Sequence, residues 1–94
     1  GALARAFLER RAFHAPAARS QVYRGQVGDE LLTITRCVGL AVAPVLIPRG
    51  AVGVLYADGG PDGHDVVAEQ ASELSGLAAQ IGLVCGLCPA VPVG

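Results

Sequence analysis

The order of apolar and polar residues changes rhythm several times along the chain. Leu3, Phe7 and Leu8 fall at i, i+4 and i+5, one face of a helical period, and predict a helix over residues 2–11. Arg5 and Glu9 lie one turn apart on it, and Arg10 and Arg11 fall in its last turn, where positive charge suits the helix dipole. Ala12-Phe13-His14-Ala15 alternates briefly and stops at Pro16, which reads as a short strand. Residues 16–28 carry Pro16, Ser20, Gly25 and Gly28 among scattered apolar residues and predict a loop. Asp29 can cap a short helix running to residue 36, although the β-branched Thr33, Ile34 and Thr35 suit a strand equally.

Residues 38–47 give the clearest strand. Val38, Leu40, Val42 and Leu46 fall on one side and Gly39, Ala41, Ala43 and Val45 on the other. Neither side is polar, so both faces should be covered, and the small residues imply close approach of a helix. Pro44 cannot donate to a ladder and marks an edge or a bulge. Ile47-Pro48-Arg49-Gly50 has the residues of a tight turn, and residues 51–57 form the return strand of an antiparallel hairpin.

A Gly- and Asp-rich loop at 58–63 leads into a long helix, with Asp62 and Asp65 as candidate N-caps and Pro89 beyond its end. Val67, Ala71, Leu74, Ala78, Ile81, Cys85 and Cys88 are spaced alternately by four and three, an a/d seam. Val66, Leu77, Val84 and Leu87 widen it. A helix apolar over so broad an arc needs cover on more than one side, by its own sheet and by a partner's helix. Val67, Ala71, Leu74, Ala78, Ile81 and Cys85 are therefore the candidate dimer interface. Gly76 and Gly82 each weaken the helix by about 1 kcal/mol relative to Ala, which makes sense where something packs close.

Composition narrows the classes. Of the 94 residues, 52% are hydrophobic and 16% charged, which excludes a disordered chain. With 4% aromatics, no Trp and no Met, the core must be aliphatic and Ala-rich. The net charge of −1 leaves no electrostatic footprint for nucleic acid. The charges are nonetheless divided. Residues 1–50 hold seven Arg against Glu9, Asp29 and Glu30, a balance of +4, and residues 51–94 hold five acidic and no basic residues. This describes either solvated faces or complementary halves that meet within the fold or across a dimer. No apolar run approaches the roughly 20 residues of a membrane helix, and Arg5, Glu9, Arg10 and Arg11 stand where a signal peptide would be apolar. With only three Cys, a reducing cytoplasm and free thiols are expected. The chain opens on Gly1, and it is expected to be cut from a longer protein.

Little covalent chemistry is on offer. Nucleophilic catalysis needs a base beside a Ser or Cys, and His14 and His64 lie in no nucleophile motif. Cys85-Gly86-Leu87-Cys88 is a C-x-x-C, but it sits at the end of a helix, where the dipole disfavours a thiolate. A structural zinc site would need Cys37 or the two His to complete it. Redox and zinc roles therefore rank last, and the expectation is no cofactor and no enzyme activity.

The segment from Gly39 to Gly60, GLAVAPVLIPRGAVGVLYADGG, followed by the long helix, resembles the second half of a GAF domain. The matching pieces are the strand Val42 to Val45, the turn at Arg49-Gly50, and Val52-Gly53-Val54-Leu55-Tyr56-Ala57-Asp58. The helix pattern Leu74 to Gly82 is also similar, and residues 3–16 look like the preceding helix and short strand. The resemblance implies an α+β, GAF- or profilin-like fold: an antiparallel sheet of few strands, an N-terminal helix and a long C-terminal helix. It implies a domain over residues 1–88 lacking the family's opening strands, then a tail at 89–94. It further implies a non-enzymatic sensory or interaction module of a bacterial-type signalling protein, fused to other signalling domains. Such a module would act as a homodimer, with or without a small molecule on the sheet, and Arg36 and Tyr56 are candidate ligand walls. A Roadblock-type dimeriser fits the hairpin and helix but not the order helix, strand, hairpin, helix.

Overall fold

The computed structural model describes residues 1–60 and 63–87. Its elements are α1 (Ala2–Glu9), β1 (Phe13–Ala15), α2 (Gln21–Val27), α3 (Asp29–Thr35), β2 (Leu40–Ile47), β3 (Gly50–Asp58) and α4 (Ala68–Leu87). The expected α+β class, with an N-terminal helix, a small antiparallel sheet and a long last helix, is the class observed.

The β2–β3 hairpin is the frame. Leu40 pairs with Asp58 and the register holds to Val45↔Gly53; Leu46 then pairs with Ala51, which leaves Val52 as an extra residue on β3, a bulge beside the turn. β1 joins the other side of β2 through Phe13↔Val42, His14↔Ala41 and Ala15↔Leu40. The sheet order is β1-β2-β3. Pro44 lies past the end of β1, where β2 has become an edge, so its missing N–H costs no ladder bond there.

Side-chain alternation explains why β2 is apolar throughout. Leu40 and Val42 enter a cluster with Ala2 and Ala6 of α1, Ala15, Ala18, Val27 of α2, Leu32 of α3 and Cys37. Ala43 and Val45 point to the other face, against Ala78, Leu74 and Ile81 of α4. The sheet is thus the middle of three layers, α1–α3 on one side and α4 on the other. At Gly82 the helix approaches so closely that an added Cβ would run into the carbonyl oxygen of Leu46.

Several expectations are corrected. α1 ends at Glu9, two residues early, because Arg10 turns left-handed (φ 57°) and the N–H groups of Arg10 and Arg11 both bond the Ala6 carbonyl. The loop expected over 16–28 contains α2. This helix has weak local propensity but is held by burial of Val27 and by edge-to-face packing of Tyr23 on Phe13. α3 resolves the helix-or-strand ambiguity as helix; Arg19 donates to the carbonyls of Leu32 (2.6 Å) and Cys37 (3.0 Å), satisfying its C-terminal end.

Asp65 is not the cap of the long helix. α4 starts three residues later with Val67 as its half-in residue: Gln70 reaches back to accept from the Val67 N–H (3.1 Å), and Ala71 N–H bonds the Val67 carbonyl. Asp65 instead accepts from the N–H of Ala17 (2.9 Å) and of Val66 (2.8 Å), and His14 Nε2 donates to the Val66 carbonyl (2.6 Å). These bonds clasp the start of α4 to the end of β1. Gly39 sits beneath the clasp, where any Cβ would occupy the place of the Asp65 carboxylate. Asp62, Cys88 and the tail at 89–94 lie outside the described residues.

Candidate functional site

The a/d seam of α4 divides in two. Ala78 is buried, and Ala71, Leu74 and Ile81 are half-buried, Ala78, Leu74 and Ile81 against the chain's own sheet. Val67 is 56% exposed and precedes the helix, and Cys85, on the inward arc, is exposed because the helix has run past the sheet. The seam proper is thus largely spent on intramolecular packing.

What remains uncovered is the rest of the helix circumference. Leu77 is 50% exposed, Leu83 73% and Leu87 86%, and Val84 is exposed beside them. These residues are spread around α4 rather than gathered on its inward stripe, so its second half is apolar nearly all round. Leu83 is the one residue of this surface absent from the seam and its flank. Its signal was present in the sequence, since a helix flanked by apolar residues on every side cannot be satisfied by one sheet.

The two flanks of α4 differ. Towards the β2 edge, Ser75, Ala79, Gly82, Leu83 and Gly86 line an apolar groove of about 730 Å³, floored by Pro44, Leu46 and Pro48, with Arg10 as its one charged wall. Towards β3, Gln70 and Glu73 border a polar hollow with Ala57, Asp58 and His64, and Leu77 follows one turn later on the same flank.

Arg36 and Tyr56 are not brought together on that groove. Arg36 is the exposed left-handed residue (φ 53°) that ends α3. Tyr56 packs against the α1–α3 cluster and donates its hydroxyl to Asp58 Oδ2 (2.7 Å), with Cys37 Sγ at 3.8 Å and Thr35 Oγ1 donating to the same sulfur (3.1 Å). Burial, and hydrogen bonding to Asp58 and then to Cys37, push the Tyr56 phenol well above its ordinary range.

The thiols and imidazoles are likewise dispersed. Cys37 is buried on the α1–α3 face, and Cys85 is exposed on the helix that covers the opposite face. His14 is engaged by the Val66 carbonyl and His64 is exposed. Among the described residues no three His, Cys, Asp or Glu side chains gather as a metal site, and no helix is long and apolar enough to cross a membrane.

No protein-family model matches the chain, and no characterised protein matches it by sequence. The three-layer arrangement has a counterpart among solved structures. The fold is GAF-like: it superposes on the crystal structure of the cyanobacteriochrome receptor PixJ, solved in dark and steady-state-illuminated forms, with a TM-score of 0.60 over 88% of this chain at 17% identity. The match spans 60% of the PixJ chain. The similarity is therefore one of fold, to part of a sensory receptor.

Proposed function

We propose that this chain is a non-enzymatic sensory or interaction module of a signal-transduction protein, and that it works by self-association through the outer surface of α4. The fold it shares with a receptor supports the sensory setting. The observation that carries the association is the apolar circumference of α4: one arc lies on the sheet, while Leu77, Leu83 and Leu87 face outward. A second copy covers them. Sedimentation equilibrium tests this reading. The wild-type chain is expected to be a dimer at micromolar concentration, and Leu77→Glu, on an exposed position, is expected to weaken it at least about tenfold without unfolding the chain. A wild-type chain that stays monomeric up to millimolar concentration defeats the reading.

The groove between α4 and the β2 edge favours a second reading, a receptor for a small apolar molecule bearing an acidic group. The cavity is large enough for such a ligand, and no described carboxylate pairs with Arg10 at its rim. Native mass spectrometry of the chain purified from cells should then retain an added mass that Arg10→Ala loses. A bare protein mass in every preparation counts against it.

A further inference from the structure

The sheet has two very different borders. On one side β1 is three residues long, and the part of β2 beyond it carries Pro44. Both features discourage further pairing. On the other side β3 is nine residues long and is a border throughout. Past the bulge at Val52, the stretch from Gly53 to Asp58 runs in unbroken register with β2 and carries no charge until Asp58. Among the described residues, the backbone of residues 51–57 bonds to β2 and to nothing else. Its outward N–H and C=O groups therefore face away from the sheet without protein partners, and no Lys, Pro or inward charge protects them.

We infer that this edge is the docking surface for a second copy of the same chain, the two β3 strands pairing antiparallel about a two-fold axis at Leu55 to make one six-stranded sheet. The inference rests on the self-association proposed above and gives it a geometry. Three observations select a second copy. First, the strand is complementary to itself. Around Leu55 the pairs are Val54 with Tyr56 and Gly53 with Ala57, a β-branched residue against an aromatic and small against small, with side chains of matching faces in register. Second, the charges agree. The antiparallel direction sends the Asp58 end of each strand towards the exposed Arg49 turn of the other, and no like charges meet along the strand. Third, Leu77 lies on the flank of α4 nearer β3, so the same two-fold axis draws the exposed leucines of both copies to one side of the joint sheet. Isologous pairing consumes the open edge, and the outer borders of the joint sheet are the two short β1 strands. The assembly therefore closes at two copies rather than growing into a fibre.

Disulfide trapping tests the geometry. In a background with Cys85→Ser and Cys88→Ser, the pair Gly53→Cys and Ala57→Cys places thiols opposite each other across the axis. Nothing lies within 4 Å of a Cβ at 53, so the first change is accommodated. Within one chain the two positions are about 13 Å apart along the strand, too far to bridge. Mild oxidation of the folded protein is expected to give a covalent dimer in high yield, and a control with Ile34→Cys, exposed on α3, is expected to give little. Val52→Lys, an exposed change on the bulge, should weaken association at least about tenfold by sedimentation. A protein that is dimeric by sedimentation, but does not cross-link at 53 and 57 and is indifferent to Val52→Lys, overturns this geometry and leaves the α4 reading standing. A wild-type monomer overturns both. So does slow amide exchange over residues 53–58 in a monomer, since the edge is then covered by something other than a second copy.

Discussion

Tyr56 shows how far one side chain's role depends on its neighbours. In the sequence it is an aromatic on an exposed-looking return strand and a natural wall for a ligand. In the fold its ring completes the α1–α3 core and its hydroxyl is taken by Asp58 at 2.7 Å. The folded chain holds the phenolic proton more tightly than the unfolded chain, whose tyrosine ionises near its ordinary value of about 10. The linkage is then fixed in sign. This contribution to stability is fully present below about pH 10 and is lost as pH rises above it, because only the unfolded chain releases the proton there. Tyr56→Phe should cost about 1 kcal/mol at neutral pH through the lost hydrogen bond, and should flatten the alkaline decline. Urea titrations of both proteins at pH about 8 and about 11 measure it. Parallel declines would exclude Tyr56 as the source.

At the scale of elements, the β2–β3 hairpin and the long helix were legible because their signals are local: a Pro-containing turn between β-rich runs, and an apolar period sustained for five turns. The strand apolar on both faces correctly announced cover on both sides. α2 was not legible. Gly25 and Gly28 hide a helix that owes its existence to the burial of Val27 and the contact of Tyr23 with Phe13, partners distant in sequence. The start of α4 was misplaced for a similar reason, since Asp65 has better partners in Ala17 and Val66 than in the helix. Of the candidate site, the sequence identified the helix but not its orientation. Periodicity says which residues share a face, and only the sheet decides which face is inward. The two helical glycines, alike in sequence, separate sharply here. Gly82→Ala would drive its Cβ into the Leu46 carbonyl and should cost about 2 kcal/mol or more. Gly76→Ala meets open space and should gain up to about 1 kcal/mol in helix propensity. Thermal melts should move in opposite directions by several degrees; a common shift would mean that α4 does not lie this close to β2.

For the molecule as a whole, the division of charge between the halves of the chain is not used inside the fold among the described residues. Both ion pairs found there are local, Arg5 with Glu9 and Arg24 with Asp29, and all four side chains are more than half exposed. Such pairs contribute little and are screened by salt. The melting temperature of the monomeric Leu77→Glu variant should therefore change by less than about 3 °C between low and high salt. Association of the wild-type chain should weaken with salt, because the Asp58 and Arg49 ends meet only between copies. A large salt effect on the variant's own melting would place the complementary halves within one chain.

Gly39 and Gly82 have a meaning beyond packing. The first leaves room for the Asp65 carboxylate that clasps α4 to β1, and the second leaves room for the Leu46 carbonyl beneath α4. They hold the helix down near its two ends. Much of the exterior can drift without harm, as 17% identity to a chain of like fold attests, but these two positions cannot accept even a methyl group without lifting the helix. Divergent relatives should therefore be recognisable less by their overall resemblance than by two glycines 43 residues apart, one before the central strand and one in the last helix.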